Sequence, residues 1–404
     1  MSLLLVCQTL CIVLSTVCLP ATLYLGLLTV VSVRPRRPRH DTESHFVIVV
    51  PAHNEAAQIA TTVGSLRALA YPKAHFEVWV VADNCTDATA TRATAAGAKV
   101  LERHNAALRG KGYALEFAFE QVLLAKGVDA VVVVDADTQV SANLLAAFSA
   151  RLRDGALAVQ GHYGVSNPNA SWRTRLMAVA LAMFHRLRSL GRERLGVSAG
   201  LRGNGMCFSC ALLRAHPHRA FGLVEDVEYG IAIGRAGVRI HYADEAHVFG
   251  EMVSNAQGSQ TQRQRWEGGR MALVRQTLPG LLREAFRKKD PMLLDLAMDL
   301  AVPPLSYIGL GTACCALLAG GVWLGDGRLS YAGVLALSLA GLNLAALLAY
   351  VGRGAVLSNL GFGAVLALLW APVYVLWKIV LMLRPKPRGG EWVRTRRESE
   401  DDPS

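Results

Sequence analysis

Asp135-Ala136-Asp137 sets two carboxylates two residues apart, and along an extended segment that spacing puts both on one side of the chain. Carboxylates paired in this way bind a hard divalent cation, which in turn neutralises a diphosphate. Five further clusters carry groups of matching chemistry. His53-Asn54-Glu55 and Asp83-Asn84-Cys85-Thr86-Asp87 add acids and amides, and Arg109-Gly110-Lys111-Gly112 is a glycine-flanked basic run able to approach a phosphate. Glu225-Asp226 places adjacent acids at the start of an amphipathic segment. Gln262-Arg263-Gln264-Arg265-Trp266 packs two guanidinium groups and an indole into five residues, an anion clamp beside a sugar platform. Each has a plainer explanation when taken singly. Asp87 or Thr86 serves as a helix N-cap, Glu225 and Asp226 complement a helix dipole, the Arg109–Gly112 run is a polar loop before a helix, and the Arg-Trp run is a solvated face.

The elements around these clusters argue for reading them together. Phe46–Val50, Phe76–Val81 and Ala130–Val134 are short apolar, β-branched runs. Helical stretches are expected from about Glu55 to Ala70, from Ala88 to Ala96 and around Tyr113 to Lys126. Strands apolar on both faces and alternating with helices indicate a parallel α/β sheet. In such sheets ligands bind beyond the carboxyl ends of the strands, which is where three of the acidic clusters fall. Leu201–Met206 is a glycine-rich loop entering a further apolar strand. The sequence holds no GxxxxGK[ST] loop and no GxGxxG after a strand, which argues against a P-loop ATPase and a dinucleotide-dependent dehydrogenase.

Composition supplies the surroundings. With 52% hydrophobic and only 18% charged residues, the chain is neither disordered nor an ordinary soluble domain. Four stretches carry no charge: Leu3–Val31, Leu300–Gly325, Leu329–Gly352 and Gly354–Trp377, each long enough to cross a bilayer. The first reads as an uncleaved anchor, since it lacks a basic leader and a small-residue cleavage site. Arg34-Pro35-Arg36-Arg37-Pro38-Arg39 follows it and marks the cytosolic end. The net charge of +11 gathers at such membrane edges, so contact with anionic lipid headgroups explains it and no nucleic-acid partner is expected. Cys207 and Cys210 have zinc-like spacing, but no second pair follows and metal binding there is not expected. The expected layout is a membrane anchor at 1–33, a basic linker at 34–45, the α/β domain at 46–275, an amphipathic interface segment at 276–299, about three membrane segments within 300–383, and a charged tail at 384–404.

In order and in type, Pro51–Glu55, Asp83–Asp87, Asp135–Asp137, Glu225-Asp226 and Gln262–Trp266 resemble the motifs of the membrane-bound family 2 glycosyltransferases, the group that includes cellulose, chitin, hyaluronan and poly-N-acetylglucosamine synthases. The likeness covers roughly residues 46–270. It implies a cytosolic GT-A fold (Rossmann-like, mostly parallel), a nucleotide-sugar donor, and inversion at the anomeric carbon. Carried over position by position, Glu55 and Asp83 hold the nucleoside, and Lys111 lies near the uracil or diphosphate. Asp135 and Asp137 bind the nucleotide and Mg²⁺ or Mn²⁺. Glu225 belongs to the catalytic pair with Asp226, the general base, while Gln262 and Arg265 attend the pyrophosphate. Trp266 stacks under the acceptor sugar, near Gly203 and Asn204. One departure is plain: the family's usual Asp-Asp-Gly-Ser run is here Ala82-Asp83-Asn84-Cys85.

Two acceptors fit this resemblance. The first expectation is a growing polysaccharide, supplied from a UDP-sugar at the inner or plasma membrane, and the alternative is a single transfer to a membrane lipid. A catalytically silent scaffold is a third reading, which an intact general base argues against. Membrane topology leaves a conflict: three spans after a cytosolic domain would put the tail outside, whereas Arg384–Arg397 argue for the inside. A cytosolic tail is expected, with one apolar stretch re-entrant or not spanning.

Overall fold

The computed structural model describes the backbone at residues 3–35, 44–252, 256–326 and 330–383, with side chains at 6–35, 44–252, 266–321 and 330–377. The basic residues 36–39 and the tail 384–404 lie outside the described residues.

Eight strands form one sheet: β1 (Phe46–Ala52), β2 (Phe76–Asp83), β3 (Lys99–Arg103), β4 (Ala130–Val133), β5 (Thr138–Val140), β6 (Ala158–Val165), β7 (Met206–Ser209) and β8 (Ile240–Gly250). Their order is β3-β2-β1-β4-β7-β6-β8-β5. β1, β2 and β4 are parallel, as the apolar runs predict, β3 joins them in parallel beside β2, and β6 runs parallel to β8. β7 enters antiparallel between β4 and β6, which makes the sheet mixed. This reversal brings the start of β7, immediately after Gly203-Asn204-Gly205, to the carboxyl end of β4. Two apolar layers cover the sheet. Helix Ile59–Arg67 packs with Val63 and Leu66 on one face, and helix Lys111–Leu124 packs with Leu115, Phe119 and Val122 on the other. The first of these helices is shorter than the Glu55–Ala70 span expected, because residues 53–58 form a turn tied to the next strand end.

Helices Val6–Val31 and Tyr331–Leu357 are apolar enough to cross a membrane, and at 26 and 27 residues they extend about 40 Å at 1.5 Å per residue. They lie side by side and parallel. Gln8 donates to Ser330 at one end (3.1 Å), Thr22 meets Asn343 midway, and Arg353 donates to Ser32 at the other end (3.1 Å). Helix Leu305–Asp326 runs antiparallel between their ends, with Cys11 against Cys315 and Cys18 beside Gly311. It is bent by 74° from helix Pro291–Ala301 before it. The expected division at Arg353 does not hold, because that residue stays inside helix Tyr331–Leu357 with its guanidinium reaching Ser32. The last apolar stretch is split into helices Phe362–Leu369 and Ala371–Leu383. Three further spans were therefore expected, and the described residues hold one long helix, one bent pair and one shorter apolar segment.

Helix Ala256–Lys288 carries the Gln262–Trp266 motif and continues through 275 and 276 without a break. One face of its second half is buried, with Leu281 and Ala285 against Leu293, Leu296 and Leu300 and against Ile231 of helix Glu225–Arg235, while Arg283, Phe286, Arg287 and Lys288 stay exposed.

Candidate active site

The carboxyl ends of β1, β2 and β4 bring the acidic clusters to one edge of the sheet. Asn54 and Asn84 turn the chain at the first two ends with φ of 56° and 51°, a left-handed conformation that asparagine tolerates better than most residues. The two turns are laced together. Thr86 N–H donates to Asn54 Oδ1 (2.7 Å), and His53 Nδ1 meets the Asp83 carbonyl (2.7 Å). Asp87 accepts from Thr89 N–H (3.0 Å) and Ala56 N–H (3.1 Å), so it ties the start of helix Thr89–Ala95 to the Glu55 turn, while the N-cap foreseen at Asp87 or Thr86 falls on Ala88, without a side-chain cap. Glu55 is held by its own N–H, which donates to Thr89 Oγ1 (2.8 Å). Asp83 is buried and its carboxylate accepts from Arg103 Nη1 (2.6 Å) and from Asn84 Nδ2 (2.9 Å). Arg103, at the end of β3, was not singled out in the sequence.

Beyond β4 the alternation holds as expected. Asp135 and Asp137 are half-buried on the open side, while Ala136 and Thr138 turn inward. Asn204, fully buried, fixes this segment by accepting from Asp135 N–H (3.2 Å) and donating to Thr138 Oγ1 (2.7 Å). Its part is thus to shape the acidic turn.

Lys111 is the centre of the cluster. Its Nζ donates to Asp135 Oδ1 (2.5 Å) and to the Gly203 carbonyl (2.5 Å), and lies 3.8 Å from Glu225 Oε1. A Cβ built at Gly203 would stand 3.5 Å from Asp226 Oδ2, so the second acid of the pair closes the same group. Burial opposes the charge on Lys111, but Asp135 and Glu225 outweigh it and hold the ammonium above the usual lysine range. Burial pushes Glu225 up to about 7, with Lys111 pulling the other way and Asp226 adding to the rise. Burial also raises Asp226, against the pull of a Val227 backbone N–H, Lys111 and Arg202. An acid raised in this way beside a fixed cation is suited to proton transfer near neutral pH.

Two glycines let the parts meet. A Cβ at Gly112 would lie 2.1 Å from the Ala220 carbonyl oxygen, so only glycine seats Lys111 this close to the loop that leads to Glu225. A Cβ at Gly269 would lie 2.9 Å from Leu223 Cβ, so the Gln262–Trp266 helix packs directly against the same loop. Trp266, half-buried, is three residues before that contact, whereas the side chains of Gln262 and Arg265 lie outside the described ones.

The donor set can be tested for a cation. Among the described residues no three acidic, histidine or cysteine side chains gather as a metal cage. Asp135 and Asp137 supply oxygen ligands on the open side of the turn. That is the arrangement for Mg²⁺ or Mn²⁺, which take one or two carboxylates and complete their shell with substrate phosphates and water.

Comparison with known proteins agrees with this geometry. The family model described as "Glycosyltransferase like family 2" matches residues 43–269, more than half of the chain. A beta-monoglucosyldiacylglycerol synthase of Nostoc sp. is 34% identical over 197 residues, covering 46% of this chain and 41% of that protein. One from Synechocystis sp. is 27% identical over 316 residues, covering 68% of this chain and 62% of the relative. The chain thus spans less than two thirds of the length of either. Among solved structures, a mannosyltransferase from Pyrobaculum calidifontis in complex with GDP-Man and Mn²⁺ superposes with a TM-score of 0.52 at 18% identity, over 84% of this chain and 97% of that one. That likeness speaks to the fold, which is GT-A.

Proposed function

The chain belongs to glycosyltransferase-like family 2, and on that premise we propose that it transfers one hexose from a UDP-sugar to the hydroxyl of a membrane lipid, with glucose and diacylglycerol as the first pair to test. The names of the relatives support the lipid held as the alternative over the growing polysaccharide expected first. One structural observation carries this reading. Arg202, adjacent to Gly203 in the candidate site, faces Asp299 at 3.9 Å, and Asp299 lies on helix Pro291–Ala301, the first half of the bent membrane pair. Chemistry at Asp226 is therefore within reach of a headgroup hydroxyl that never leaves the bilayer.

In this mechanism Asp226 takes the proton of the acceptor hydroxyl as its oxygen forms a bond to the anomeric carbon. The bond from that carbon to the diphosphate oxygen breaks on the opposite face, with inversion, and the electron pair leaves with the nucleoside diphosphate. Asp135 and Asp137 would hold Mg²⁺ or Mn²⁺, which when bound supplies positive charge to the leaving diphosphate. Lys111 adds a fixed charge to the same region and keeps Asp226 from rising further. Glu225 stays protonated to about pH 7 and so avoids placing two adjacent negative charges in one buried site. Arg265 and Trp266 would contact the pyrophosphate and the acceptor, and Glu55 and Asp83 the nucleoside, Asp83 through a carboxylate that Arg103 already orients.

The test is a labelled-donor assay on full-length protein in nanodiscs containing diacylglycerol, with Asp226→Asn as control. Label in a chloroform-soluble monoglycosyl lipid, lost in Asp226→Asn, supports the proposal. Label in high-mass polymer would refute the lipid acceptor.

A further inference from the structure

Between the candidate site and the membrane helices lies a second charged cluster that the mechanism does not use. Four guanidiniums meet there from three elements: Arg188 and Arg192 of helix Arg188–Arg194, Arg202 of the turn before Gly203, and Arg270 of helix Ala256–Lys288. Asp295 and Asp299 of helix Pro291–Ala301 answer them. Arg192 Nε reaches Asp295 (2.7 Å), Arg192 Nη1 and Arg188 Nη1 reach Asp299 (3.1 and 3.2 Å), and Arg270 donates to the Asp299 carbonyl. The four cations thus face Asp295 and Asp299, with Asp226 of the candidate site acting on Arg202 as a third carboxylate. Arg192 Nη2 and Arg202 Nε, on side chains 1% and 3% exposed, find no acceptor at all. An unpaired buried N–H of a charged group costs at least as much as a lost hydrogen bond, and a surplus of like charge adds to that cost.

The cluster comes nearest the surface at Phe184. Arg188, Arg202 and Arg270 all lie over the ring of Phe184, at 4.8, 4.6 and 5.5 Å from its centroid. Phe184 and Arg270 are only half-buried and form the lip of the cluster. Phe184 sits in a π-helical turn, Ala182–Leu187, a distortion that recurs at functional sites. Burial, only partly offset by Asp299, and repulsion from the other arginines hold Arg270 down to about 10, as expected where cations outnumber anions.

We propose that this basin binds a phosphate group carried by a membrane lipid, beside the acceptor site and at headgroup depth. Planar guanidiniums in a fork match phosphate oxygens, and two unpaired donors await them. A lipid is the source because the tethering helix is part of the bent membrane pair. The basin rests on the proposed function only for its neighbour. The phosphate belongs either to the acceptor itself or to a resident lipid beside a neutral acceptor.

Full-length protein in neutral detergent, without donor, is titrated with dihexanoyl phosphatidic acid, dihexanoylglycerol and inorganic phosphate by calorimetry. The phosphatidic acid is expected to bind at least tenfold more tightly than either of the others, and Arg270→Gln to weaken it about tenfold. Arg270→Lys, which keeps the charge and loses the fork, serves if the glutamine variant melts early, with an expected loss of several-fold. Equal affinity for the neutral lipid, equal affinity for inorganic phosphate, or unchanged binding in both folded variants would overturn the basin. Turnover then separates its two forms. Label on the phosphatidic acid makes it an acceptor, and faster labelling of dihexanoylglycerol in its presence makes it a resident neighbour. Because binding is read without donor, a failure of lipid glycosylation leaves this result standing on its own.

Discussion

Substituting Gly112 by alanine sets two effects against each other. Gly112 lies in the first turn of helix Lys111–Leu124, and a glycine-to-alanine change in a helix ordinarily stabilises by about 0.5–1 kcal/mol. Here the new Cβ would stand 2.1 Å from the Ala220 carbonyl oxygen and 3.1 Å from the Phe221 Cα, both backbone atoms that cannot rotate aside. The helix start or the 220–224 loop must therefore retreat by roughly 1 Å to reach an ordinary contact. Overpacking of this kind costs about 1–3 kcal/mol, so the net change is destabilising by about 1–2 kcal/mol. The catalytic consequence is larger. Lys111 precedes the substituted residue and Glu225 follows the displaced loop, so their 3.8 Å approach opens with it. A misplacement of roughly 1 Å near a reacting centre costs on the order of 100-fold. The expected result is kcat/KM lowered about 100-fold in the nanodisc assay, with a small drop in melting temperature. Gly64→Ala is the control: nothing lies within 4 Å of a Cβ there, so it should stabilise slightly and leave turnover alone. Wild-type kcat/KM in folded Gly112→Ala would refute the claim that this contact sets the site.

Two further outcomes follow from the same geometry. Lys111→Met removes the cation that pulls both Glu225 and Asp226 down, so the acidic limb of the rate profile should move to higher pH, and an unmoved limb would separate Asp226 from proton transfer. In the native enzyme Glu225, raised from 4.5 to about 7, favours the folded state fully below 4.5 and loses that contribution as pH climbs through 7, which pH-dependent melting reads. Orientation can be read with tags at each terminus on sealed vesicles. Helix Tyr331–Leu357 returns the chain to the catalytic-domain side, where Arg186 bonds the Leu357 carbonyl (2.8 Å) and Trp172 stacks on Trp370 at 5.2 Å. The 13 residues of Ala371–Leu383 extend about 20 Å, short of a bilayer, so the tail should share its side with the catalytic domain and the N-terminus should not. Both tags on one side would refute this topology.

Glu55, Asp83, Asp135 and Asp137 were legible in the sequence because they follow apolar strands, a pattern that locates them on one edge without knowledge of the partners. Alternation predicted the outward pair Asp135 and Asp137, whereas the helix cap expected at Asp87 or Thr86 falls one position later, on Ala88. Other parts left no local trace. β3 is an edge strand of polar and half-exposed residues, Lys99–Arg103, with no apolar run to announce it. Arg103, Arg202 and Arg270 act through partners 20, 97 and 29 positions away, and spacing carries no information at such range. Arg353 was misleading in the other direction: a charge inside an apolar helix reads as a boundary until a partner such as Ser32 is known.

The first helix has a consequence for how the protein is made. Tyr24 donates to Asp295 (2.8 Å) across 271 positions and Thr22 meets Asn343 across 321, while Leu25 and Leu28 are wholly enclosed. A helix made about 270 to 320 residues before its partners keeps these polar groups unmatched until those partners emerge. Packing of the first helix and assembly of the late helices are then one event. A version cut free of this helix loses a wall of its own interior, and releasing the catalytic half into solution would yield an aggregating fragment in place of a soluble enzyme.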